Sequence, residues 1–517
     1  MLRRWFAGTR ALLSKMTMQQ PSLLPPIHRG MSQLDRDAFR TTLPLLAARL
    51  PANNTTQFLK HDGKDFVLRL RGIGAVVPDP SDQHRRILLR TGDRSQIPQE
   101  CLDVLKQHNG ELVESSVSVG YDYWTSDQVL QAILPEELLD ESPTAFTQVG
   151  HIAHLNLRDQ YLPHRHLIGQ VILDKNKSLR TVVNKLDSID NVYRNFQMEV
   201  LAGDHDFMVE MAEHDCRFRF DFSKVYWNSR LQTEHARLVS LFKPDDVVVD
   251  GFAGVGPFAI PAGKKGCGVL ASDLNPASAE ALKGNAALNR VEKTVRTSNE
   301  DGRDFIKRSV LAIWDEPFPV YEAPLSARER AKKARQAMKE REAAKAAAAA
   351  AGGEASSSSS PAPPASADAS ATPDLSTVSL SSSSSSPAPP ASESPKPQRL
   401  RRLPSHYVMN LPASALTFLD AFDGLFRDLY AREGEETVKK ALEEETGGRL
   451  PVVHCYCFTK EPEGEAATKD ICERATAALG HRVHTGLPDF NLHYVRDVAP
   501  KKIMFCLEFR LTDEMVR

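Results

Sequence analysis

No run of eighteen apolar residues occurs in the 517-residue chain, so no segment reads as a membrane-spanning helix. The seven cysteines are odd in number and contain no C-x-x-C pair. That argues against a disulfide framework or a structural zinc site and for a reducing compartment. An excess of one charge is also missing: 65 Lys and Arg against 67 Asp and Glu leave a formal net charge of −2. No overall basic field announces nucleic acid, so any RNA surface must be local. The chain is long enough for two or three domains with cores of their own.

One absence is confined to the start. No acidic residue precedes Asp35, while Arg3, Arg4, Arg10, Lys15 and Arg29 stand among Trp5, Phe6, Leu12 and Leu13. This composition is that of a mitochondrial presequence, and Met16, Met18 and Met31 offer later starts. The expected locations are therefore the mitochondrial matrix, with cytoplasm and nucleus. Residues 1–33 are read as this leader or tail, 34–142 as a small α+β domain, 143–216 as a second module and 217–517 as a doubly wound α/β domain. Residues 323–402 interrupt the last of these. The interruption begins Ala-rich and basic, helical by propensity, and continues as Ser/Pro/Ala low complexity that cannot bury enough surface to order itself. It precedes the strand containing His406, at the end of the sheet opposite the ligand crevice. A tolerated spacer is expected, with a helix gripping RNA phosphates as the alternative.

What is present is concentrated at residues 247–258. A β-branched strand, Val247-Val248-Val249, runs into Asp250 and then Gly251-Phe252-Ala253-Gly254-Val255-Gly256-Pro257-Phe258. Glycines there let a backbone turn approach a ligand closely. The stretch from Gly254 to Ala259 also satisfies the dinucleotide fingerprint G-x-G-x-x-A. Two acids favour S-adenosylmethionine (SAM) instead. Asp250 ends its strand where the cationic methionine part would lie, and Asp273 ends the next strand, suited to accept both ribose hydroxyls. Near the C-terminus, His454-Cys455-Tyr456-Cys457 looks like a metal cluster, but alternation within an apolar strand explains it better. No metal site is expected.

Four segments together make the pattern specific: residues 224–235, the glycine loop, Ser272-Asp273-Leu274-Asn275-Pro276 and Met409-Asn410-Leu411-Pro412. The chain resembles the archaeal and eukaryotic tRNA (guanine-37-N1)-methyltransferases from about residue 34 to its end, the insertion excepted. The resemblance implies a Rossmann-like class I SAM-dependent methyltransferase domain preceded by two smaller α+β RNA-binding modules. It implies methylation of N1 of guanosine-37 in tRNA, which prevents frameshifting, by a monomer without a metal.

Carried over residue by residue, the resemblance makes Glu234 the base that takes the N1 proton, on a helix begun by Thr233 as N-cap. Arg194 stabilises the charge that spreads to O6, and Asn410 hydrogen-bonds the target base. The cofactor set becomes Tyr226, Asp250, Phe252, Gly254, Gly256, Asp273, Leu274, Asp301, Gly302 and Asn410, with Asp301 reading the adenine amine. Candidate tRNA contacts are Arg69, Arg71, Arg85 and Arg86 in the first domain and Arg158, His164, Arg165 and His166 in the second. Asn-Leu-Pro-Ala replaces the Asn-Pro-Pro-Tyr of adenine amino-methyltransferases, in agreement with a ring-nitrogen target. Two alternatives remain: a SAM-dependent aminocarboxypropyl transferase of wybutosine synthesis, and a catalytically silent tRNA-binding protein.

Overall fold

A computed structural model describes residues 20–140, 143–189, 196–321, 327–351 and 400–517. Two compact units divide the chain, residues 1–232 with 275–288 and residues 233–274 with 289–517.

The first unit contains two four-stranded sheets. In the antiparallel one, Thr41–Pro51 lies between His84–Leu88 and Glu111–Val119, with Val76–Pro78 at the edge. In the mixed one, Ile152–Leu155 and Thr181–Ile189 run parallel. Such a pair needs a crossover, and the helix Arg165–Lys175 supplies it. One apolar core joins Trp124, Leu130 and Ile133 to Ile168, Val171 and Val182. The division expected at residue 142 is therefore not a division between cores. The expected boundary at residue 33 also moves. Leu23 and Met31 pack on this core, and the His28 and Gly30 amides donate to the Ala132 and Ile133 carbonyls. A start at Met16 or Met18 preserves these contacts, whereas a start at Met31 removes most of them.

Several basic residues of this unit are held internally. Asp79 accepts from both Arg49 and Arg86, and the Arg49 guanidinium foremost holds its carboxyl well below the usual carboxylate range. Arg71 donates to the Tyr123 carbonyl, and Arg165 to Glu199. Burial alternates along residues 216–221, and Phe218 and Phe220 are buried against Trp227. This strand, Cys216–Asp221, pairs with Met208–Glu213, and the Arg219 amide donates to Asn285 of the helix Pro276–Leu288.

The second unit is built on seven strands: β1 (Val247–Asp250), β2 (Gly268–Ser272), β3 (Val295–Ser298), β4 (His406–Met409), β5 (Val452–Thr459), β6 (Asn491–Ala499) and β7 (Lys502–Arg510). Their order is 3-2-1-4-5-7-6. Strands β1 to β5 are mutually parallel, and β7 runs antiparallel between β5 and β6. Val247, Val248 and Val249 are buried, as expected of a strand covered on both faces. Strand β5 departs from the expected pattern: its alternation selects a face, but both faces are buried. Cys455 and Cys457 join the apolar core with Val453, while His454 and Tyr456 make polar contacts.

The insertion is bracketed by a two-residue ribbon in which Phe318–Pro319 pairs antiparallel with Leu400–Arg401. Residues 400–402, expected inside the insertion, thus belong to the fold. Arg401 is buried and donates to the carbonyls of Pro244, Asp246, Gly266 and Pro319. Arg401→Ala strands these acceptors and should cost about 3 kcal/mol. Thermal unfolding should show a Tm lower by about 6 °C; an unchanged Tm would make this arginine dispensable.

Within the insertion, Ala327–Ala351 is helical, as its propensity predicts. Because the ribbon already holds the two ends together, replacing residues 327–397 with a short Gly/Ser linker should leave folding, and the tRNA methylation that the resemblance implies, nearly intact. Steady-state kinetics on tRNA check this. A raised KM for tRNA with a flatter salt dependence would instead identify the helix as a phosphate grip.

Candidate active site

In the second unit, β1 to β4 deliver polar residues to one end of the sheet: Asp250 closes β1, Asp273 follows β2, Asp301 follows β3 and Asn410 follows β4. Crevices outside the carboxyl ends of parallel strands are where such sheets bind ligands. Asp250 is fully buried and accepts one weak bond, from the Phe252 amide to Oδ1 at 3.3 Å, while Oδ2 has no partner. Burial pushes its carboxyl up to about 8, with a smaller contribution from the charge of Asp273.

The loop after β1 is held by the acid that follows β2. The Gly254 amide donates to Asp273 Oδ2 at 2.9 Å. Gly254 has φ +55° and a Cβ there would meet nothing of the protein, so its left-handed backbone, not internal crowding, requires glycine. Gly256 also has positive φ, and helix α2 (Ala259–Lys265) follows. Leu274 is about half exposed, and Asn299 fixes the turn around it by donating to the Asp273 and Leu274 carbonyls.

Asp301 has a structural duty beyond the one expected. Its Oδ1 caps α3 (Gly302–Asp315) by accepting from the Arg303 and Asp304 amides, while Oδ2 takes no part in the cap. At Gly302, a Cβ would lie 2.7 Å from the Phe252 ring, so the glycine makes room for Phe252, which meets Phe418 edge-on. Asn410 is half-buried, and among the described residues no hydrogen bond engages its amide.

Glu234 lies in the first turn of α1 (Gln232–Leu241) and is 6% exposed. Thr233 falls inside this helix and is not its N-cap, because the preceding 3-10 turn, Ser229–Leu231, is capped by Asn228 and runs directly into it. Three donated hydrogen bonds and a histidine surround the carboxylate. Arg237 grips both oxygens at 2.7 and 2.8 Å, Tyr456 donates to Oε1 at 2.7 Å, and His493 Nε2 lies 3.2 Å from Oε2. Burial pushes the Tyr456 phenol well above its ordinary range, so it stays a donor. Burial opposes the charge on Arg237, but the bond to Glu234 and the charge of Glu508 outweigh it and raise its pKa. Phe258, the last residue of the glycine loop, meets the His235 ring edge-on at 4.9 Å and stacks on Tyr456 at 5.7 Å. This aromatic wedge joins the Glu234 cluster to the loop.

Ligand atoms of His454, Cys506 and Glu508 also lie within 4.8 Å of one another, the spacing of a metal site. Their chemistry is that of a satisfied polar network. Glu508 accepts from Arg237 and Asn491, and burial pushes the Cys506 thiol far above its ordinary value. A neighbouring guanidinium and a protonated thiol disfavour a cation.

Two expected residues are not among the described residues of the second unit. Tyr226 belongs to the first unit, about half exposed, with Asn228 donating to its hydroxyl. Arg194 lies outside the described residues. Conversely, Arg237, Phe258, Tyr456, His493 and Asn299 were not singled out from sequence. Of these, only Phe258 sits in a recognisable motif.

Comparison with known proteins gives two family matches: the TYW2 N-terminal domain over residues 126–206 and the TRM5/TYW2 methyltransferase domain over residues 209–342. The tRNA (guanine(37)-N(1))-methyltransferase of Coprinopsis cinerea is 44% identical over 495 residues, covering 95% of this chain and 96% of that one. The protein of the same name from Saccharomyces cerevisiae is 37% identical, covering 94% of each chain. Among solved structures, a complex of aTrm5 with tRNALeu matches with a TM-score of 0.51 at 18% identity, over 90% of this chain and 100% of that one, a likeness of fold.

Proposed function

The chain belongs to the tRNA (guanine(37)-N(1))-methyltransferase family, and from that membership we infer that it methylates N1 of guanosine-37 in tRNA, with SAM as the methyl donor. The residues present fit that cofactor: Asp250 holds a buried, unpartnered carboxylate oxygen, and the space beside Gly254 is open. When bound, SAM supplies an electrophilic methyl group on a sulfonium. Asp250 would hold its cationic amino-acid end, Asp273 the ribose hydroxyls and Asp301 Oδ2 the adenine amine, with Phe252 and Leu274 as apolar walls.

Glu234 takes the proton that guanine N1 must lose, and the amide of Asn410 orients the base. Arg194 is assigned to O6, where charge develops as that proton leaves. The observation that carries this reading is the Phe258 wedge, which sets a buried carboxylate beside the glycine loop. The aminocarboxypropyl reading is less favoured, because the relatives matched over nearly the whole chain carry the methyltransferase name. Primer extension on anticodon-loop RNA after incubation with SAM tests the function. N1 methylation blocks reverse transcription at the modified guanosine, and read-through there would refute it.

The raised pKa of Asp250 has a measurable consequence. A carboxyl at about 8 is mostly protonated at pH 7 and must lose its proton to face a cation. Cofactor binding below pH 8 should therefore release a proton and tighten as pH rises toward 8. Calorimetry in two buffers of different ionisation enthalpy reads that proton. Asp250→Asn should abolish the release, and its persistence in this variant would place the proton elsewhere.

A further inference from the structure

A base that accepts a proton must also lose it, and the surroundings of Glu234 limit how. Its oxygens already accept from Arg237 twice and from Tyr456, with His493 Nε2 beside Oε2. Protonating the carboxylate deprives a half-buried guanidinium of one of the two carboxylates paired with it among the described residues, leaving Arg237 with Glu508. The protonated state is thus costly, and the proton is driven onward. Arg237 cannot accept it, and the Tyr456 phenol is a donor to Oε1. Among the described residues, only His493 has a basic atom at the carboxylate, Nε2 at 3.2 Å from Oε2. Its side chain is 35% exposed against 6% for Glu234, and it stands on β6, the edge strand of the sheet.

We propose that His493 relays the N1 proton from Glu234 to solvent. The step is a proton transfer only. With the imidazole proton on Nδ1, Nε2 presents a lone pair to Oε2. The O–H bond of protonated Glu234 breaks as an N–H bond forms at Nε2, and the Nδ1 proton leaves to water. The carboxylate is then free and the ring carries its proton on Nε2, and exchange with solvent returns that proton to Nδ1 before another turnover. His493 acts through Glu234 and is a relay and positioning residue.

The inference rests on Glu234 as base, and the test separates the two. In the full-length protein, His493→Ala should lower the single-turnover methyl-transfer rate about 10-fold, a modest part of what acid–base catalysis supplies. SAM affinity and the KM for tRNA should stay within about two-fold, since neither partner is held by the relay. Added imidazole should restore most of the loss in His493→Ala and none in Glu234→Gln. His493→Gln, whose amide can hydrogen-bond Oε2 but cannot carry a proton, should be as slow as His493→Ala. An unimpaired rate in His493→Ala, a loss that imidazole does not relieve, or a fully active His493→Gln would each overturn the relay. If Glu234→Gln itself retained its rate, the assignment of the base would fall; if only the His493 variants did, the relay alone would fall.

Discussion

Glu234→Gln should lower the single-turnover methyl-transfer rate by about 10²-fold or more, the usual loss for a general base. The geometry makes this a clean substitution. The amide is isosteric, one oxygen can still accept from Tyr456 or Arg237, and Arg237 keeps its ion pair with Glu508 at 2.9 Å. The cluster should therefore survive and SAM binding should change little. Equal losses of turnover and SAM affinity, measured by single-turnover kinetics and calorimetry, would mean that Glu234 only supports the fold around the loop.

Asp273→Ala is expected to weaken SAM binding through two losses at once. The hydrogen bonds assigned to the ribose disappear, each to a charged acceptor worth roughly 1.5 to 3 kcal/mol. The clamp on the Gly254 amide disappears as well, so the loop loses its fixed position before any ligand arrives. Affinity should fall by about 10²-fold or more. Asp273→Asn keeps an acceptor for Gly254 and should lie between the two. Unchanged affinity in both variants would reject the assignment, and equal losses would make the charge, not the clamp, decisive.

The cofactor half of the site was legible because its residues are local in sequence. A strand, its terminal acid and a glycine turn are consecutive, Asp273 and Asn410 directly follow strands, and Asp301 lies three residues past one. Parallel pairing then carries them to the same end of the sheet without further information. Boundaries were less legible. Leu23, His28 and Arg29 share a basic, acid-free stretch with the leader, and composition does not distinguish a residue that packs from one that only bears charge. Arg401 was misread in the same way, since next to Arg402 and a low-complexity run it looks like solvated charge. Only the convergence of four carbonyls explains its burial.

The sequence by itself determined the chemistry class: the glycine loop, the acids after successive strands and the segment holding Glu234 each carry their meaning within a dozen residues. The tertiary structure decided what state Glu234 is in. Its partners come from its own helix, from β5 and from β6, more than two hundred residues away in the cases of Tyr456 and His493. No periodicity relates residues at that separation. They meet because β7 runs antiparallel between β5 and β6 and sets Tyr456 and His493 both opposite Cys506, so one register turns a tyrosine and a histidine toward the same carboxylate. A proton path depends on distances of about 3 Å, which hydrogen bonding requires and which only the folded chain sets.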